Sequence, residues 1–283
     1  MSANAHNSAV ASLWRYPVKS MMGEELNSAV VTEGGLVGDR AYALVDRETG
    51  KVVSAKNPKK WPDFFAFRAA YTQPPEAGGE LPPVWITLPS GDVVRSDQGD
   101  LDQRLSGAVS RAVGLQMHAP RDPSLEQYWP EREGEAEDVT NEAVAGAAPE
   151  GTFFDYATVH ILTTGTLNRL RELYPQGRIE ARRFRPNLIV ETDPGVADFV
   201  ENAWVGKVLR IGEVRLLVTD PCPRCVMPTL AQGDLPRDPG LQRTMLQNTV
   251  HVPFAGRALP SIGVYAKVLS GGIVRRRDTV AVE

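Results

Sequence analysis

Proline and glycine interrupt this chain so often that few long regular elements fit between them. There are 22 prolines and 25 glycines among 283 residues, about one position in six. Proline fixes its own φ and removes a backbone donor, while glycine opens conformations that turns require. What remains between the interruptions is mostly short apolar runs. Ala41–Asp46, Lys51–Ser54, Val84–Leu88, Val159–Leu162, Leu188–Val190, Val208–Ile211, Val214–Val218 and Ile262–Leu269 all read as strands. Arg47–Gly50 joins the first two as a hairpin, and Gly212-Glu213 makes a second, tighter one. Gly271-Gly272 turns the last strand into Ile273-Val274, and residues 73–83, with four prolines, must be loop. Only two stretches carry helical spacing. Leu101, Leu105, Ala108, Val109 and Ala112 form one, with Gly114 as its stop. Leu167, Leu170 and Leu173 form the other, capped by Thr163 or Thr164 and stopped at Pro175. The expected fold is mainly β (α+β): two packed β-barrel-like domains with a few helices.

The length is enough for about two domains. Residues 131–150 carry seven acidic side chains against one basic, with few apolar groups, so they read as a solvated linker or surface excursion. The expected division is therefore 11–125, a linker at 126–150, and 151–283, with the first helix near 99–113. Without the acidic stretch the formal charge of −4 becomes slightly positive. Neither value is the basic footprint of a nucleic-acid binder. No run approaches 18 apolar residues, and the N-terminus lacks the basic and apolar regions of a secretory signal, so no membrane association is expected and a cytoplasmic location is.

The two cysteines, Cys222 and Cys225, stand together in DPCPRCVMPT. Two thiols in a chain this long are no disulfide scaffold. Four readings of the pair are open. They could be small buried hydrophobes, although the flanking prolines and Arg224 oppose a core strand. They could be a thioredoxin-type redox pair, although the strand before them and Pro228 after them oppose the helix that motif begins. They could be half a zinc site, which would recruit two of His6, His118, His160 and His251, none of which shows a paired spacing. Or one thiolate could bind a softer, redox-active metal whose other ligands come from a cofactor, with Arg224 favouring the anion. That last reading gives work to Arg178, Arg182, Arg183 and Arg185, which could grip a phosphate and otherwise read as a solvated charged face. Lys19-Ser20, after the rigid Tyr16-Pro17, and Asp39-Arg40, after Gly35-Leu36-Val37-Gly38, are ambiguous alone. An exposed lysine and a simple ion pair would account for them.

Together these blocks resemble a known family. LWRYPVKSM, GGLVGDRAYALVD and SAKNPKKWP in residues 11–68 resemble the N-terminal β-barrel domain of molybdenum-cofactor sulfurase C-terminal (MOSC) proteins. FDYATVHILTTGTLNRL, RRFRPNLIV, DPCPRCVMPT and SIGVYAKVL in residues 154–280 resemble the MOSC domain itself, in the same order. The architecture is similar to that of the amidoxime-reducing components. The resemblance implies a pterin-dithiolene molybdenum cofactor with one cysteine bound to the metal, here Cys225. It implies cofactor binding by Lys19, Ser20, Arg40, Arg185, Asn187, Pro223 and Arg224, and a catalytic acidic residue at Asp155. Lys19, Arg40 and Arg185 would neutralise the cofactor phosphate, while Asn187 and Ser20 would supply directed hydrogen bonds. Pyridoxal phosphate binding attaches to the family as a label only.

The implied activity is reduction of N-hydroxylated small molecules, hydroxylamines and amidoximes, by oxygen-atom abstraction at cysteine-ligated molybdenum. Electrons would come from a separate donor protein, since an appended iron–sulfur domain needs four more cysteines. The alternatives are a sulfur carrier using a cysteine persulfide and a non-catalytic cofactor-binding module. Two positions depart from the family pattern. Lys56 stands where arginine is frequent, which could weaken an anion contact, and Arg277 stands where glycine is frequent, in a turn.

Overall fold

The computed structural model describes residues 8–129 and 138–283. Its centre is a closed barrel of seven strands. In order around the barrel they are Val159–Thr163, Leu188–Val190, Ser8–Arg15, Thr279–Val282, Val208–Ile211, Val214–Pro223 and Arg257–Ser270. The last closes on the first through the antiparallel pairs Val159↔Ala266 and Ile161↔Val264. Alternation decides which side chains fill the interior: Val214, Leu216 and Val218 are buried, while Arg215 between them is exposed. Val10, Leu13, Ile161, Leu209 and Val264 meet them inside. Among the barrel strands only Val159–Thr163 and Leu188–Val190 run parallel, joined by the helix Thr164–Leu173. The Thr163 hydroxyl caps that helix by accepting from the Thr166 N–H, and the helix stops at Leu173, two residues before Pro175.

The rest of the first half forms a second core. Three short strands, Arg68–Tyr71, Val84–Thr87 and Val93–Arg95, pack with the helix Leu101–Val109 around Phe64, Phe65 and Phe67. Met227 and Leu230, just past the cysteine pair, pack against this core from the other half. The chain therefore holds its CxxC segment in the seam between two hydrophobic bodies. Mainly β structure with three α-helices among the described residues is the expected class.

Several expectations need correction. Ala43–Asp46 makes the expected hairpin with residues 51–53, through the bridge Val45↔Val52 and hydrogen bonds from the Asp46 and Val53 N–H groups to the Lys51 and Leu44 carbonyls, but its longer pairing is with Val113–Gln116, which the sequence reading lacks. The first helix ends at Val109, because Ser110 takes a left-handed φ of 54° and leaves Ala112 beyond it; Gly114 lies inside a strand instead of stopping the helix. The acidic stretch is no plain linker where it is described: Asp138–Ala143 pairs along its length with Ser124–Trp129. Its most acidic part, 131–137, lies outside the described residues, as does His6. Ser8–Arg15 belongs to the first half of the chain yet forms part of the barrel built by the second half, with Leu13 opposite Leu188. Sequence separation hides such pairing. No helix of the described residues is long and apolar enough to cross a membrane.

Candidate functional site

Where the Ser8–Arg15 strand leaves the barrel, Tyr16 is buried and its phenol donates to the Pro186 carbonyl at 3.1 Å. Two guanidiniums lie over its ring, Arg185 at 4.2 Å and Arg40 at 4.5 Å. Like charges this close repel, so the ring face and a carboxylate must hold them. Asp39 is that carboxylate: it pairs with Arg40, accepts from the Tyr16 N–H at 2.7 Å and from the Asn187 amide at 2.9 Å. Burial and the neighbouring Arg40 push Arg185 down to about 10. Its remaining anchor is the Met21 carbonyl, 2.6 Å away.

Backbone geometry marks the same residues. Ser20, Arg40 and Arg185 all adopt left-handed φ values, 63°, 46° and 56°, that side-chain-bearing residues seldom take. Such conformations cost free energy and persist where surrounding structure enforces them, commonly at binding sites.

A second cluster adjoins the first. Lys19, only 5% exposed, points its ammonium at Asp155 Oδ1, 2.5 Å away, and at the Phe153 carbonyl, 2.7 Å away. Lys56 reaches the other oxygen of Asp155 at 3.3 Å. Burial is the largest influence on Lys19 and lowers it to about 8, against the pull of Asp155. Burial would raise the Asp155 carboxyl, but the two lysines outweigh it and hold the group well below the usual carboxylate range. Arg40 and Arg185 also feel the charge of Asp155, which ties the two clusters electrostatically.

The thiols differ from each other. Cys222 is 1% exposed and bonded to the Tyr265 hydroxyl, and burial pushes its thiol up. Cys225 is half-buried, and its sulfur receives the Met227 N–H. Burial raises this thiol too, so the protein without cofactor holds it neutral. The leading opposing cation is Lys56, not Arg224 as the sequence order suggests. Arg224 turns away: it donates to the Ile262 carbonyl at 2.9 Å, the Phe184 carbonyl at 3.2 Å and neutral His160 at Nε2. Pro223 ends its strand opposite Ser261.

The structure thus brings Lys19, Arg40, Arg185, Asp155 and Cys225 into one region and alters some expected roles. Asn187 uses both amide protons internally, on Asp39 and the Trp14 carbonyl, while its oxygen accepts from Arg40 and the His160 N–H. It orients Arg40 and Asp39, and both its side-chain amide protons are used within the protein. Ser20 Oγ accepts from the Ala55 N–H at 3.2 Å and keeps its own proton to offer. The arginine cluster divides. Arg178 and Arg182 pair with Glu180 and Asp234 at the surface. Arg183 is buried, donating to the Pro228, Leu230 and Pro236 carbonyls. Only Arg185 joins the site. The sequence offers His160 only as a zinc candidate and Tyr16 only as the head of the motif that holds Lys19, so neither is marked there as part of this site. Lys56 was noted only as a departure.

Among the described residues no group of three or more His, Cys, Asp or Glu side chains could hold a metal. A metal at Cys225 would take its other ligands from a cofactor. The donor set fits such a group. Lys19, Lys56, Arg40 and Arg185 outnumber Asp39 and Asp155, leaving a largely buried cationic excess that suits a phosphate-bearing anion. Beside Arg40 a cleft of about 320 Å³ opens between Leu36, Leu81, His118 and Phe154.

The family model described as the MOSC N-terminal beta barrel domain matches residues 7–81, and that of the MOSC domain matches residues 149–281. Mitochondrial amidoxime-reducing component 1 of Mus musculus is 25% identical over 236 residues, 78% of this chain; the chain spans 65% of that relative's length. Among solved structures, the YUAD protein from Bacillus subtilis covers 98% of this chain and 95% of its own, at 13% identity and a TM-score of 0.43. YiiM from Geobacillus stearothermophilus covers 56% of this chain and 73% of its own, at 16% identity and a TM-score of 0.33. With the two models matched in order along one polypeptide, this protein belongs to the MOSC-domain family and carries a MOSC N-terminal β-barrel domain ahead of its MOSC domain.

Proposed function

We propose that this chain is a molybdenum-cofactor-dependent oxidoreductase that reduces N-hydroxylated small molecules, hydroxylamines and amidoximes, with electrons from a separate donor protein. The observation that carries it is the half-buried Cys225 thiol in the same region as an excess of largely buried cations. MOSC domains are associated with molybdenum-cofactor binding, and a relative bears the name of an amidoxime-reducing component. Cys225 would be the protein ligand, and Lys19, Lys56, Arg40 and Arg185 would neutralise the phosphate, with the Ser20 hydroxyl as a directed donor. When bound, the cofactor supplies two-electron oxygen-atom chemistry at its metal.

The chain's own contributions follow from its geometry. Asn187 and Asp39 fix Arg40, and the Tyr16 ring packs against both Arg40 and Arg185, so the cations are oriented before a ligand arrives. Asp155, ionised between two ammoniums, is a poor proton acceptor and a good hydrogen-bond acceptor. It would orient a substrate N–H rather than remove its proton. Arg224, locked onto two carbonyls, fixes the backbone immediately before Cys225.

Protein purified from a host that makes molybdopterin tests the reading by metal analysis, cofactor extraction and turnover of an amidoxime. Stoichiometric molybdenum with turnover, both lost in Cys225→Ser, is expected. No molybdenum together with thiosulfate-dependent sulfur transfer would overturn it in favour of a sulfur carrier. Bound cofactor without turnover by any reductant would reduce it to a binding module.

A further inference from the structure

The geometry points to Phe254, supported by Tyr156, as the wall that selects flat aromatic N-hydroxylated substrates. Tyr156 follows Asp155 directly in the chain. Its ring is held on several sides: it stacks on Phe254 at 3.9 Å and 24°, and meets Tyr265 at 5.4 Å. Gly146 packs so close that a Cβ there would lie 2.9 Å from the ring. Its hydroxyl approaches Asp220 at 3.5 Å. Tyr265 in turn bonds Cys222, so the aromatic row runs from the surface to the thiol pair.

The outer member is Phe254. It sits in the turn Pro253–Ala255 between the paired strands Thr249–Val252 and Arg257–Ser270, and Gly256 closes that turn with a φ of 63°. One face of its ring lies on Tyr156, yet the side chain is 44% exposed. A rigid ring held by a neighbour and open to solvent is a stacking platform: the ordering cost is met before a ligand arrives. The platform rests on the side chain next to Asp155 in the chain, whose carboxylate accepts N–H, so an arene seated there lies one residue from that acceptor. An aliphatic substrate would gain little from the platform.

This inference rests on the reductase reading, and the test separates the two. Holoprotein supplied with electrons by reduced methyl viologen is assayed with benzamidoxime and acetamidoxime, which share the reacting group and differ in the ring. Phe254→Ala should raise KM for benzamidoxime roughly 3- to 10-fold and leave the acetamidoxime parameters within about twofold. Phe254→Trp should keep the aromatic preference. Equal losses on both substrates, or no change on either, would overturn the assignment; equal kcat losses would instead mark the aromatic row as serving electron entry. If the wild type reduces neither amidoxime, the reductase reading fails by itself. The wall is then judged by benzamidine binding in ligand-observed NMR, and equal binding to wild type and Phe254→Ala would reject it.

Discussion

Lys19 and Asp155, 136 residues apart in sequence, meet at 2.5 Å in the seam between the two halves of the chain. Lys56 closes the same carboxylate from the other side at 3.3 Å, so one acid holds two cations from the first half. This triad joins the N-terminal half to the loop that opens the MOSC domain.

Breaking it should cost stability with a definite pH signature. Lys19→Met should lower the unfolding free energy by about 1–3 kcal/mol, between the limits for exposed and buried pairs, since Lys56 still faces Asp155. The Asp155 carboxyl is depressed in the folded chain, so its stabilisation is present above its unfolded value, near pH 4, and is lost as pH falls toward the folded one. The gap between wild type and Asp155→Asn in urea titrations should therefore be widest near pH 7 and shrink progressively as pH falls below about 4. A gap independent of pH would show that the ion pairs are not its source.

The two thiols should separate in a labelling experiment. Cys222 is sealed against Tyr265, whereas Cys225 is only partly buried and feels the Lys56 charge. Iodoacetamide on the native cofactor-free protein should modify Cys225 on the order of tenfold faster, read by peptide mass mapping. Comparable rates would mean the segment opens as a unit.

Arg277 offers a stabilising substitution. It is exposed, with a left-handed φ of 68°, while its backbone N–H is bound to the Val10 carbonyl. Glycine takes that conformation without the Cβ conflict, so Arg277→Gly should add about 0.5–1 kcal/mol, or about 1–3 °C of melting temperature. A lower melting temperature would show that the arginine side chain contributes more than its backbone costs.

How much was legible differs from element to element. The helix capped by Thr163 and the Gly212-Glu213 hairpin are local: a hydroxyl before an apolar period and a two-residue turn name themselves. The second partner of Ala43–Asp46 was not legible: the hairpin to residues 51–53 is local, whereas residues 113–116 reach it only through the fold. Nor was the fate of each arginine. Arg178, Arg183 and Arg185 are chemically identical, yet one meets surface acids, one meets buried carbonyls and one meets Tyr16.

Sequence alone determined the mainly β class, because proline and glycine spacing limits element length and alternation assigns faces, and it placed both family domains through ordered local motifs. Tertiary structure decided which charges share the seam, that Lys56 rather than Arg224 faces the Cys225 thiol, and that Asn187 serves the protein interior. Those outcomes depend on distance and burial across more than a hundred residues of chain, and Coulomb energies and desolvation are set by where the folded backbone brings the groups, not by their order along it.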